Sequence, residues 1–270
     1  MSQRTGIFVD ALSVSYNGGF GLRFDHLRRF ALRNGGHAGR FNVYLAVDSE
    51  RSLNDAIYRN KTNRFCEVLR DFEFKVIEKP VVVPKYTDSG EPLVRPSVSV
   101  DMAIDLIEQC KEHDTIVLLT SDPDFVRVIR TIQGIGCKVE LVGFNNLPTV
   151  LKKEADYFIS GFLIPGLLPV TGNGVDWGKV GSRVRGVCYD YSHDDGYGFM
   201  RFLNRIDSPL WITDSRSDQS PYKTVFAHVS QFESNFDTSY LPSRDLIFEF
   251  KLVENDKGLI AEEIVLFSAP

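Results

Sequence analysis

Thr115–Ile132, TIVLLTSDPDFVRVIRTI, is the stretch that decides the fold. Ile116-Val117-Leu118-Leu119 is a continuous apolar run and predicts a strand buried on both faces. The run stops at Thr120-Ser121, and Asp122-Pro123-Asp124 opens a helix. Asp122 has an N-cap side chain and Pro123 suits the first helical position. Phe125, Val128, Ile129 and Ile132 then recur at helical spacing and give that helix a buried face. Two carboxylates therefore stand where a core strand hands over to a helix, the edge at which open α/β sheets hold ligands. Capping alone accounts for Asp122. It does not account for Asp124, which is close enough for both carboxylates to meet one cation.

Upstream, Gly6-Ile7-Phe8-Val9 predicts a strand ending in Asp10, as the central strand leads to Asp122. An amphipathic helix follows over 24–32, then a strand over 41–47 ended by Asp48, then a helix over 57–72. Residues 74–77 and 81–83 read as extended, and 84–96 as a polar, turn-rich loop. The helix at 98–110 carries Asp101 and Asp105 four apart on one face; Asp101 also suits the positive end of the helix dipole with no further role. Downstream come a strand at 138–142 and a helix at 151–158 carrying Asp156. Strands alternating with helices predict a parallel sheet with helices on both faces over residues 1–163.

Asp10, Asp122, Asp124 and Asp101 are thereby expected at one edge. Adjacent carboxylates raise one another's pKa and destabilise a fold unless a cation is present. Mg²⁺ or Mn²⁺ takes such oxygen ligands, completes its shell with phosphate oxygens, and supports phosphodiester hydrolysis.

Val9-Asp10, Val100-Asp101 with Asp105, TSDPDF at 120–125 and LKKEADYFI at 151–159 together resemble the NYN branch of PIN-like ribonucleases. The resemblance implies that Asp10, Asp101, Asp122 and Asp124 are catalytic metal-binding acids, with Asp105 a second-tier acid and Asp156 a family-typical helix residue. Two positions depart from the family. Ser13 stands where Asn is common, with Asn17 nearby, and Val98 stands where Lys is often found, leaving Arg95 as the nearest cation. Ser13, Asn17 and Arg95 are accordingly the candidates for positioning substrate.

Residues 164–178, rich in Gly and Pro, read as a linker, and 179–270 as a small barrel of five short strands. Tyr197 and Phe199 share one strand face, and Phe226 and His228 share one on a later strand. Such rings either fill a barrel core or form stacking platforms for unpaired bases. The flanking glycines are expected to let a flat ligand approach. DGYGFM and VFAH, with the terminal EFKLVENDKGLIAEEIVLF, resemble the cold-shock domain, an OB-fold binder of single strands. The resemblance implies base stacking by Tyr197, Phe199, Phe226 and His228, with Tyr189 near the place of a family Trp. Arg183, Arg185 and Arg201 are candidate phosphate contacts. Residues 204–222 look like an insertion.

The 270 residues exceed the usual size of one core, which favours two domains. Residues 1–165 are electrically neutral, and the net charge of −5 falls on the remainder, so nucleic-acid contacts are expected from local patches. Four cysteines without CxxC spacing suggest neither zinc nor a disulfide framework, and point to a reducing cytoplasm. No stretch has the length of a membrane span or the make-up of a signal peptide. The expected protein is a metal-dependent ribonuclease acting on single-stranded RNA, or single-stranded DNA, with a homodimer as one assembly. The alternative is an RNA-binding regulator whose NYN domain no longer cuts.

Overall fold

The computed structural model describes residues 3–83, 97–170 and 174–269. Backbone contacts divide the chain into two compact units. The first comprises residues 1–20, 35–143 and 147–159, and the second 21–34, 144–146 and 160–270.

In the first unit, β1 (Arg4–Asp10), β2 (His37–Asp48), β3 (Lys75–Val81), β4 (Thr115–Leu119), β5 (Lys138–Gly143) and β6 (Tyr157–Ser160) form a sheet in the order β3-β2-β1-β4-β5-β6. The β1–β2, β2–β3, β1–β4 and β4–β5 pairings are parallel. From β1 the chain winds outward to β3, then returns to the centre and winds outward from β4. The reversal lies between β1 and β4, the crevice where such sheets bind ligands. Every residue of β4 is buried, as is all of β1 after Arg4, which accounts for their unbroken apolar runs.

Among the described residues, seven α-helices lie along the chain between these strands: α1 (Ala11–Val14), α2 (Phe24–Ala31), α3 (Ser49–Asn54), α4 (Ala56–Asp71), α5 (Ser99–Gln109), α6 (Phe125–Gly134) and α7 (Thr149–Glu154). The regular part of α6 starts at Phe125, two residues later than the sequence predicts. The Phe125 amide bonds the Asp122 carbonyl at 3.2 Å and the Val126 amide that of Pro123 at 3.1 Å, so the first turn is of tighter, 3₁₀ type. The predicted helix over 151–158 is also corrected. It ends at Glu154, because Ala155 is extended (φ −67°, ψ 146°) and the chain enters β6. Asp156 lies between the two elements, where its carboxylate accepts the Val139 amide at 2.8 Å.

The second unit holds a closed barrel of β7 (Arg183–Ser192), β8 (Tyr197–Leu203), β9 (Tyr222–His228), β10 (Ser243–Asn255) and β11 (Gly258–Ser268). Its order, β10-β11-β9-β8-β7, with β11 parallel to β9 and the other pairs antiparallel, is consistent with an OB-fold. Met200, Phe202, Val225, Ala227, Phe248 and Phe250 fill its interior. Of the stretch expected as a linker, Ile164, Leu167 and Leu168 are buried, as their apolar side chains require, and residues 171–173 lie outside the described ones. Among the described residues no helix is long and apolar enough to cross a membrane.

Candidate metal site and ring-bearing barrel face

Asp10 ends β1 and caps α1, its Oδ1 accepting the Leu12 and Ser13 amides at 3.1 and 2.9 Å. It is 7% exposed. Burial raises its pKa, the two amide bonds oppose that shift, and the Asp122 carboxylate raises it further. Asp10 and Asp122 thus repel one another across the crevice, because the Val9–Leu119 pairing sets the ends of β1 and β4 side by side.

The turn carrying Asp122 is held on three sides. The Asp124 amide donates to Asp122 Oδ1 at 3.0 Å, and Ser99 Oγ, from the head of α5, donates to Oδ2 at 2.5 Å. The Ser121 amide donates to Ser13 Oγ at 2.9 Å, and the two serine hydroxyls share a bond at 2.6 Å. Asn17 Nδ2 donates to Ser121 Oγ at 2.8 Å and to the Ser13 carbonyl at 2.7 Å. Ser13 and Asn17 therefore fasten the α1 end to the β4 turn, and the acids on either side are held by that link.

The other two acids are not drawn into the pair. Asp101 is bound by Lys79 of β3, Nζ to Oδ2 2.6 Å. Asp124 is exposed at the start of α6 and makes no side-chain cap bond. Among the described residues no three Asp, Glu, His or Cys side chains are grouped to hold an ion. The expected four-acid cluster is therefore not preformed. Lys79 neutralises one member, and hydrogen bonds already occupy both Asp122 oxygens. The Asp10–Asp122 pair does fit a hard cation, having oxygen donors and an unrelieved repulsion. Asp105 lies apart from this pair: its Oδ2 accepts from Tyr44 Oη at 2.7 Å, and Asn42 Nδ2 donates to Tyr44 Oη at 3.2 Å and to Gln109 Oε1 at 3.1 Å. Asp101, Asp105 and Gln109, spaced by four, run as a polar seam along α5 against β2 and β3. Lys79 and Ser99 escaped the sequence reading, since nothing local relates either to an Asp over 20 residues away. Arg95 lies outside the described residues.

On the barrel, Tyr197, Phe199 and Phe226 are half-buried and point away from the core, with ring centroids 5.5 to 6.4 Å apart. His228, opposite Tyr197, is exposed. These rings form an outer face, which answers the alternative that they fill the core. The glycines also have roles within the barrel itself. A Cβ on Gly198 would lie 2.3 Å from the Asp190 carbonyl, so glycine there permits close strand packing, and Gly196 adopts a left-handed turn (φ 67°). The arginines divide. Arg201 lies between Tyr189 and Tyr222, 5.4 and 5.1 Å from their centroids. Arg183 pairs with Glu249 and Glu263. Arg185 is 3% exposed and committed to Glu249 at 2.9 Å and the Pro169 carbonyl at 2.7 Å, which removes it from any solvent-facing set.

A doubly wound sheet with an acid pair at its crevice, joined to an OB-like barrel, defines the class. The NYN domain family model matches residues 4–168, and the chain belongs to that family. Membership suggests a PIN-like nuclease or RNA-related function. A crystal structure of a protein of unknown function from Vibrio parahaemolyticus is similar over 59% of this chain and 93% of its own, with 22% identity and a TM-score of 0.46. A chain from a structural study of the mechanism and regulation of Sir2 enzymes aligns over 59% of this chain and 86% of its own, at 11% identity and a TM-score of 0.25. No curated protein matches the chain.

Proposed function

We propose that the protein is a metal-dependent ribonuclease acting on single-stranded RNA. The observation that carries this reading is the placement of Asp10 and Asp122 side by side at the sheet's point of reversal. Asp10 and Asp122 would hold Mg²⁺ or Mn²⁺, with exposed Asp124 and, once parted from Lys79, Asp101 as further oxygen donors. A divalent cation supplies Lewis acidity and a polarised water at such a site. Ser13, Ser121 and Asn17 fix the turn, and Ser99 orients the Asp122 carboxylate. On the barrel, which we read as cold-shock-like, Tyr197, Phe199, Phe226 and His228 would stack unpaired bases of RNA or single-stranded DNA. All four cysteines are free and buried, which supports a reducing cytoplasm.

The Lys79–Asp101 ion pair favours a second reading, a regulator that binds RNA without cutting it. A time course on 5′-labelled single-stranded RNA with Mn²⁺, Mg²⁺ or EDTA, wild type beside Asp122→Asn, separates the two. Cleavage that needs metal and vanishes in the variant supports the nuclease; RNA that is bound but intact with every metal supports the regulator.

A further inference from the structure

The chain between β8 and β9, residues 204–221, folds back on the ring-bearing face. Tyr222 Oη donates to the Leu210 carbonyl at 3.1 Å, and Ser220 Oγ to that of Ile212 at 2.8 Å. Arg201 Nη1 donates to the Thr213 carbonyl at 3.2 Å, and Ser215 Oγ bonds Thr224 Oγ1 at 2.6 Å. Leu210 is buried at 5% exposure, yet the next residue, Trp211, is 78% exposed. An indole exposed on a well-anchored segment has a flat face open to a stacking ligand.

Its position continues the outer face. Tyr197 pairs with His228, Phe199 with Phe226, Arg201 with Thr224, and Leu203 with Tyr222. The outward side chains of the first three pairs thus descend in two-residue steps of about 6.8 Å, which a single strand with splayed bases can follow, while Leu203 of the fourth is buried. The third step places the Arg201 guanidinium between two tyrosine rings. Trp211 follows at the lower end, one residue beyond the Leu210 carbonyl bound by Tyr222.

We propose that residues 204–221 lengthen the single-strand platform, with Trp211 stacking one further unpaired base beyond the Arg201 step. This rests on reading the barrel as a single-strand binder. Rings in strand-spaced steps around a guanidinium suit alternating bases and a phosphate.

The test uses the full chain in EDTA and anisotropy of 5′-labelled oligouridylates of graded length, roughly 4 to 12 nucleotides. Trp211→Ala is expected to weaken binding of the longer oligomers by about five- to 150-fold, the usual range for one stacked base, and to leave the shortest unchanged. Trp211→Phe should retain most of the affinity, and Phe199→Ala should weaken binding at every length. If Phe199→Ala weakens binding while Trp211→Ala has no effect, or an equal effect at all lengths, the extension is overturned and the platform stands. Wild type that binds no oligomer overturns both.

Discussion

Lys79 Nζ stands 2.6 Å from Asp101 Oδ2, tying the end of β3 to the first turn of α5. An ammonium thus occupies a carboxylate that, on the proposed nuclease reading, a cation in the crevice would also claim. Lys79→Met is expected to lower the Mn²⁺ concentration giving half-maximal cleavage, by about 1.5- to 5-fold, the worth of one partly exposed ion pair. A metal titration of cleavage by the two proteins checks this, and a higher requirement in the variant would show that Lys79 assists the site.

Asp105 has a different task from the acids near it, holding the buried Tyr44 hydroxyl. Burial, then the bond to Asp105, raises the Tyr44 pKa far above its ordinary range. Asp105→Asn keeps an acceptor there and should leave the metal requirement unchanged, while costing about 1 kcal/mol of stability. Denaturant midpoints and a metal titration, taken together, test both halves.

His113 lies against Gly39 and Gly6, with Nε2 accepting the Arg40 amide at 2.9 Å and Nδ1 donating to the Gln109 carbonyl at 2.8 Å. Burial holds its pKa below the ordinary 6.5, and Arg4 and Arg40 act in the same direction. The unfolded chain therefore takes up the proton first. The stability His113 contributes is present above pH ~6.5 and is lost as pH falls through the lower folded value. Unfolding midpoints at several pH values should fall more steeply on acidification for wild type than for His113→Gln.

The same packing makes Gly39 intolerant of a side chain, since a Cβ there would lie 2.2 Å from His113 Nε2 and 3.0 Å from the Thr5 carbonyl. Gly39→Ala should destabilise the protein by ~1–3 kcal/mol, read as a lower denaturant midpoint.

Arg185 shares the buried Glu249 carboxylate with Arg183. Arg185→Met is expected to cost about 3 kcal/mol by under-compensating that charge. RNA affinity of the folded protein should be unchanged. A large loss of affinity at temperatures where the variant is fully folded would return Arg185 to the binding surface.

Local patterns made the handover at 115–132 legible. A strand buried on both faces demands an apolar run, and a helix that packs demands its spacing. Asp10 and Asp122 were legible as strand ends for the same reason. Their adjacency follows from β1 pairing with β4 across more than a hundred residues, and strand order leaves no local mark. Lys79 and Asp101 meet for that reason too, as do Ser99 and Asp122.

Arg185 and Arg201 show the same limit in the barrel. Both are arginines on strands, but one is buried on a carboxylate and the other lies between two rings at the outer face. By itself the sequence determined most of the strands and helices, though not the handover from α7 to β6, and the kinds of side chain at their ends, because each depends on residues within a turn or two. The tertiary structure decided which acids face one another, which already have a cation, and which rings meet solvent. Those outcomes depend on groups brought together from distant parts of the chain, whose charges and burial act through space.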